Sequence, residues 1–352
     1  TPEIRSHRIV PSFLNALPLR ARYYRHLLPL FPFGAKDLER KLHAEHRKQP
    51  FDVVISISHC AVKNIQPPPG VPHICYCLTP MRYLWDQFDA YFGSSPFRPI
   101  IRAILNRLRP WDIAGSKGVT HFVGISNYIR ERIERCYGRS ADVIFPPVRT
   151  EWIAPRAPDE MGKGFLVVNA LVPYKNTRAI IEAFNELRFP LTIVGKGPER
   201  SSLEAIARDN IRFVDWASEE ELSQYYRASK ALVFAADEDF GISPVEMQAA
   251  GRPVIALGRG GSLETVVGEG ARRTGVYFSE PTRRSIIRAV SDFLDREKEF
   301  TLGNECLNNC VSQAQRFSAE QFATEFRQLL AERLPLSRDP LAPASIGGRR
   351  TV

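Results

Sequence analysis

The densest run of reactive side chains is Asp237-Glu238-Asp239-Phe240-Gly241-Ile242-Ser243-Pro244-Val245-Glu246, which directly follows an apolar stretch. Asp237 and Asp239 have the spacing of a two-carboxylate magnesium clamp, since hard cations take oxygen ligands. Three residues are weak evidence for one. Ser243-Pro244-Val245-Glu246 also fits a capping box with proline at the first helical position, which would fold Glu246 back onto the Ser243 amide. The functional alternative uses Gly241 to let backbone approach a ligand and turns the N–H groups of the next helix toward hydroxyls or phosphate. Glu238 and Glu246 then bracket that point. Carboxylates accept paired hydroxyls well, so a sugar or ribose is the natural partner.

Other candidates are scattered. Lys175 follows an expected strand and precedes Thr177 at a helix start, a place where a lone lysine is ordinarily a solvated charge. Gly195 and Gly197 lack the third glycine of a dinucleotide fingerprint, which favours a tight strand-to-helix turn near a nucleotide base. Gly260-Gly261 before Ser262 reads as a turn and N-cap, although a helix start at a strand's carboxyl end also faces a cleft. His59 reads either as a catalytic imidazole or as a satisfied core residue beside Cys60.

The elements that must position these residues follow from periodicity. In the first half the expected strands are Val53–Ser58, His73–Cys77, Val119–Gly124 and Asp142–Phe145, with a helix capped by Ser126 and ended by Gly138. Early apolar runs, around Ile9–Leu17 and Leu27–Phe33, are broken by prolines, and the chain reads as entered midway. Pro146-Pro147 and the polar stretch to Lys163 mark a boundary. Beyond it strands at 164–169, 190–194, 211–214, 231–235 and 253–256 alternate with helices at 177–187, 199–208, 219–228 and 243–250. Such alternation predicts a parallel sheet with ligands at the strands' carboxyl ends. A helix over 318–334 closes the fold, and the tail over 335–352 is expected to be disordered.

The 352 residues, 44% hydrophobic and 25% charged, suit two domains and exclude a disordered or collagenous chain. No apolar run approaches the roughly 18 residues of a spanning helix, and no signal pattern opens the chain, so the expectation is a cytoplasmic protein. Six dispersed cysteines lack zinc or disulfide-scaffold spacing. Residues 1–150 hold 22 Lys and Arg against 11 Asp and Glu, whereas the rest hold 26 against 28. The basic half therefore expects an anionic partner. In it, Ile100, Ile101, Ile104, Leu105 and Leu108 share a helical face, with Arg102, Arg107 and Arg109 largely elsewhere. This is either a helix for an anionic bilayer or an ordinary domain helix. Nothing resembles a nucleic-acid motif.

Together these segments resemble the retaining nucleotide-sugar glycosyltransferases of family 4, which have the two-domain GT-B fold. The likeness rests on Glu238 and Glu246 with seven residues between them, on 250–256 (AGRPVIA), 260–264 (GGSLE), 170–175 (ALVPYK) and 195–200 (GKGPER). In the first half it rests on 56–59 (SISH) and 76–83 (YCLTPMRY). They look like the mannosyltransferase-type branch of bacterial surface polysaccharide and lipopolysaccharide synthesis.

The resemblance implies an α/β protein with two Rossmann-like domains facing a cleft. An acceptor-side domain would cover 1–148, its opening strand and glycine-rich loop without a counterpart before Ile9. A donor domain would cover 149–317, and the last helix would cross back to the first domain. Glu238 would meet the donor sugar and Glu246 the ribose. Amides near Phe240, Gly241, Ile242 and Ser243 would hold sugar or phosphate, Gly195 would lie by the base, and Lys175 would neutralise the diphosphate. No metal or other cofactor is expected, which makes Asp237-x-Asp239 incidental. The implied reaction moves a hexose, mannose from GDP-mannose, onto a glycan or lipid-linked acceptor with retention. Leu78 stands where the branch usually has histidine. That departure keeps open a nucleotide-sugar-binding remnant without catalysis, and a GT-B-fold epimerase is a further alternative.

Overall fold

The computed structural model describes residues 8–17, 24–93, 95–301 and 303–334. The tail expected to be disordered lies outside them. Two parallel sheets organise the chain. The first has the order β1-β2-β3-β4, from Val54–Ser58, His73–Cys77, His121–Gly124 and Ala141–Val143. The second has the order β10-β9-β8-β5-β6-β7. Its strands in chain order are β5 Phe165–Val168, β6 Leu191–Val194, β7 Ile211–Val214, β8 Ala231–Phe234, β9 Val254–Leu257 and β10 Gly275–Phe278. After β5 the chain adds β6 and β7 on one side, then returns to add β8, β9 and β10 on the other. The crevice between β5 and β8 is therefore the topological switch point, where open parallel sheets bind ligands.

The longer helices are α1 Phe31–Lys48, α2 Arg98–Ser116, α3 Asn127–Tyr137, α4 Thr177–Leu187, α5 Glu219–Ala228, α6 Ile242–Ala249, α7 Arg283–Asp295, α8 Asn304–Gln315 and α9 Ala319–Arg333. Strands β8 and β9 are buried along their whole length, as expected of parallel strands covered on both faces. The Ser126 side chain accepts from the Ile129 amide, and Gly138 ends α3 at φ 62°.

Several elements depart from the sequence reading, among them helices α7 and α8, which it does not include. Helix α1 forms where Pro32 suggested a break, because a proline in the first helical turn gives up no intrahelical bond. Strand β10 is also absent from that reading and follows the charged Arg272-Arg273. The helix read over 199–208 is confined to Arg200–Glu204.

Helix α9 runs back to the first sheet. Phe322 and Phe326 meet the Tyr76 ring edge-on at 5.6 and 6.2 Å, and Arg333 pairs with Asp142 at 3.1 Å. The outgoing and returning segments are joined where the Val148 amide donates to the Phe317 carbonyl at 2.7 Å.

Candidate active site

A cavity of about 620 Å³ opens between the two sheets at the carboxyl ends of their strands. The first domain contributes His59 after β1, Leu78 and Thr79 after β2, Ile125 after β3, and Arg82. The second contributes Asn169 and Ala170 after β5, then Lys175, and the loop from Glu238 to Ser243 after β8.

Lys175 and Glu238 meet here. The Lys175 Nζ lies 2.5 Å from Glu238 Oε1, both largely shielded from water, with the Tyr174 and Phe234 rings 5.5 and 5.8 Å from the ammonium. Lys175 ends a short turn, Pro173–Lys175, and Asn176 then takes a left-handed conformation at φ 54° before α4. The Asn176 amide group bonds the Ala235 carbonyl at 2.9 Å, tying this turn to the end of β8. Lysine and glutamate are thus fixed by adjacent strands at the switch point.

The loop between them and α6 is braced from behind. A side chain at Gly261 would come within 2.4 Å of backbone atoms of Phe240, and one at Gly260 within 2.5 Å of the Glu238 carbonyl. The Gly261 amide donates to that carbonyl at 2.8 Å. The Gly-Gly pair is accordingly a support for the loop, and neither glycine lines the cavity.

Ser243 and Glu246 do not form the capping box that their spacing permits. The N-cap of α6 is Gly241 at φ 91°, which places Ser243 inside the helix, and its hydroxyl donates to the Val168 carbonyl at 2.9 Å. Glu246 instead accepts from the buried Tyr226 hydroxyl at 2.6 Å, and burial raises its carboxyl above the ordinary range. Phe240, Gly241, Ile242 and Ser243 line the cavity, while Glu246 and Gly195 are not among its lining residues. Gly195 lies beside it, since a Cβ there would fall 1.8 Å from the carbonyl oxygen of the cavity residue Asn169. Phe240 also anchors the loop from inside, where its buried ring packs on Phe317 at 5.2 Å and on Phe145 at 6.1 Å, at the crossing of the two connections.

Sequence reasoning missed the partners of Asp239. Arg82 Nε reaches its Oδ2 at 3.1 Å, and Arg132 Nη1 reaches its Oδ1 at 2.7 Å. These arginines precede Asp239 by 157 and 107 residues, a separation no local pattern encodes. Asp239 is committed to the guanidinium groups of Arg82 and Arg132, so this half of Asp237-x-Asp239 has a structural role that the sequence reading did not give it.

Residues 148–317 match the family model described as glycosyl transferases group 1. Over 185 residues, 44% of each chain, the sequence is 32% identical to a D-inositol 3-phosphate glycosyltransferase of Frankia alni. Over 228 residues, 56% of each chain, it is 31% identical to a GDP-mannose-dependent alpha-(1-6)-phosphatidylinositol monomannoside mannosyltransferase of Mycolicibacterium smegmatis. The chain thus spans about half the length of the curated relatives it matches. Sucrose-phosphate synthase from Thermosynechococcus elongatus is similar in fold, with a TM-score of 0.67 at 17% identity over 86% of this chain and 78% of that one. The chain has the GT-B architecture of two facing parallel sheets, and its residues 148–317 match the group 1 glycosyl transferases.

Proposed function

We propose that the protein is a retaining hexosyltransferase that moves mannose from GDP-mannose onto a glycan or lipid-linked acceptor. The observation that carries this reading is the Lys175–Glu238 pair in a cavity at the switch point of the matched domain. In the donor complex Lys175 would exchange the Glu238 carboxylate for the anionic diphosphate, and Glu238 would exchange the ammonium for hydrogen bonds from the sugar hydroxyls. Amides at the start of α6 add partial positive charge toward the phosphates. As the glycosidic carbon–oxygen bond breaks, negative charge collects on the nucleoside diphosphate, and a fixed ammonium in a closed cleft stabilises its departure. The acceptor oxygen forms the new bond to the same carbon, and its proton passes to the leaving phosphate oxygen. Leu78 has no proton to give or take, and His59 is the imidazole on the first-domain wall. The base and sugar are supported by the GDP-mannose dependence in the name of the Mycolicibacterium smegmatis relative. Glu246 is read as the ribose carboxylate, reached from the second turn of α6.

The acceptor side is proposed to work at an anionic membrane surface. Phe97 and Ile100, 64% and 61% exposed, stand at the start of α2 beside the exposed Arg98 and Arg102. No described helix is long and apolar enough to cross a membrane.

The test is calorimetric titration of GDP, UDP, ADP and GDP-mannose in EDTA, with products of a phospholipid-acceptor reaction followed in parallel. Selective GDP binding, weakened about tenfold in Lys175→Ala and Glu246→Ala, is expected. Equal binding by both variants would remove the assignment. Donor binding without transfer to any acceptor would favour a binding remnant. A changed sugar with donor alone would favour an epimerase.

A further inference from the structure

The contacts between the domains across the cavity mouth are concentrated on two short segments of the donor domain. The first is Asp239, whose carboxylate is 9% exposed and lies between Arg82 and Arg132. Arg132 also pairs with Asp86 and donates to Thr79 Oγ1 at 3.0 Å, so four charges close into a neutral chain, Asp86, Arg132, Asp239, Arg82. Three of the four come from the first domain. The backbone carbonyl of Asp239 accepts from the Ser126 hydroxyl at 2.6 Å, and the same hydroxyl caps α3.

The second segment is the one-turn helix Ser262–Thr265. Its Glu264 accepts from the Asn127 amide at 2.8 Å, from the Asn127 side chain at 2.7 Å and from the Tyr128 amide at 3.1 Å. The first N–H groups of α3 thus find their acceptor on the other domain, where the helix dipole favours a carboxylate. Both segments brace one another through Gly260, Gly261 and the Glu238 carbonyl, and the neighbour of Asp239 in that loop is Glu238.

We propose that Asp239 and Glu264 are positioning residues, which fix the first domain over the donor loop so that His59, Leu78 and Arg82 form the opposite wall of the cavity. The proposal rests on the glycosyl-transfer reading for its kinetic part only. Loss of the Asp239 carboxylate releases the Arg82–Arg132 pair, loss of the Glu264 carboxylate releases the first turn of α3, and either weakens the clamp so that the cleft opens about the crossing of residues 145–148 with Phe317. The donor contacts within the second domain remain. The acceptor, which needs both walls, loses its alignment.

The experiment compares Asp239→Asn, Glu264→Gln and the conservative Asp239→Glu with the parent chain. Three readouts are the small-angle scattering radius of gyration without ligand, GDP affinity, and the split of kcat from donor KM. Both amide variants should show a larger radius, GDP affinity within twofold of the parent, and transfer kcat reduced about a hundredfold, as misplacement of reacting groups costs. Asp239→Glu should restore part of the rate. Glu264→Gln keeps the test usable if Asp239→Asn does not fold. Folded amide variants with the parent's scattering curve would overturn the proposal, as would a loss of GDP affinity equal to the loss of rate. If the parent transfers no sugar, the function reading fails, and the scattering comparison still decides whether these carboxylates hold the domains together.

Discussion

Glu246 sits largely buried with the Tyr226 hydroxyl at 2.6 Å, and burial raises its carboxyl above the ordinary value of 4.5. An acid raised on folding binds more protons in the native state than in the unfolded chain. Stability therefore falls as pH climbs above the ordinary carboxyl value and through the raised one. Glu246→Gln keeps an acceptor for Tyr226 and removes the charge. Scanning calorimetry should find it melting above the parent at pH 7.5, with the difference shrinking as pH falls toward 4. If Glu246 holds the ribose as proposed, donor affinity should move the opposite way. A variant with unchanged melting at both pH values would show that the burial is harmless. At this scale Lys175 and Glu238 were legible as residue types beside strands, since short segments carry them. Asp239 was not, because its meaning lies in arginines over a hundred residues away.

Strands and helices carry the site as much as its side chains do. The alternation of short apolar runs with amphipathic stretches was readable because buried parallel strands have no polar face to obscure them. The order of those strands was not readable, and it is the order that puts β5 beside β8 and hence Lys175 beside Glu238. Helix α1 shows the limit of proline as punctuation, since position within the first turn decides its effect. Strand β2 adds a titration of its own. His73 is buried against β1, its Nε2 2.8 Å from Ser56 Oγ, and burial lowers its pKa to about 4. A base depressed on folding stays neutral in the native state, so its full contribution is present above about 6.5 and is lost as pH falls toward 4. Between those limits the strand pair should lose about 3 kcal/mol. Urea unfolding of the parent and of His73→Gln across pH 4 to 7 measures it. Parallel slopes for the two chains would dismiss the role.

Seen whole, the molecule has a basic first half and a nearly neutral second half, divided at the connection around residue 148. Sequence alone located this asymmetry, since charge needs no fold to be counted. Which basic residues face outward it did not give, because Arg82 and Arg132 are largely buried against Asp239 while Arg98 and Arg102 share Asp89 on an exposed surface. Flotation with phosphatidylglycerol vesicles should carry the protein, and phosphatidylcholine should not. Phe97→Ser with Ile100→Ser should reduce the bound fraction severalfold while leaving GDP binding intact, and 0.5 M salt should reduce it also. Binding unaffected by the double substitution would place the contact elsewhere.

The loop from Glu238 to Phe240 has a consequence for how such halves can be exchanged. Three successive side chains face three different neighbours: the donor-side lysine, the arginines of the other domain, and the aromatic crossing of the connections. A recombinant that joined this second half to a foreign first half would keep the Lys175–Glu238 pair and leave Asp239 as an unpaired buried charge, unless the newcomer brought arginines to the places of Arg82 and Arg132. Compatibility between halves would then be read from those two positions before any acceptor was considered.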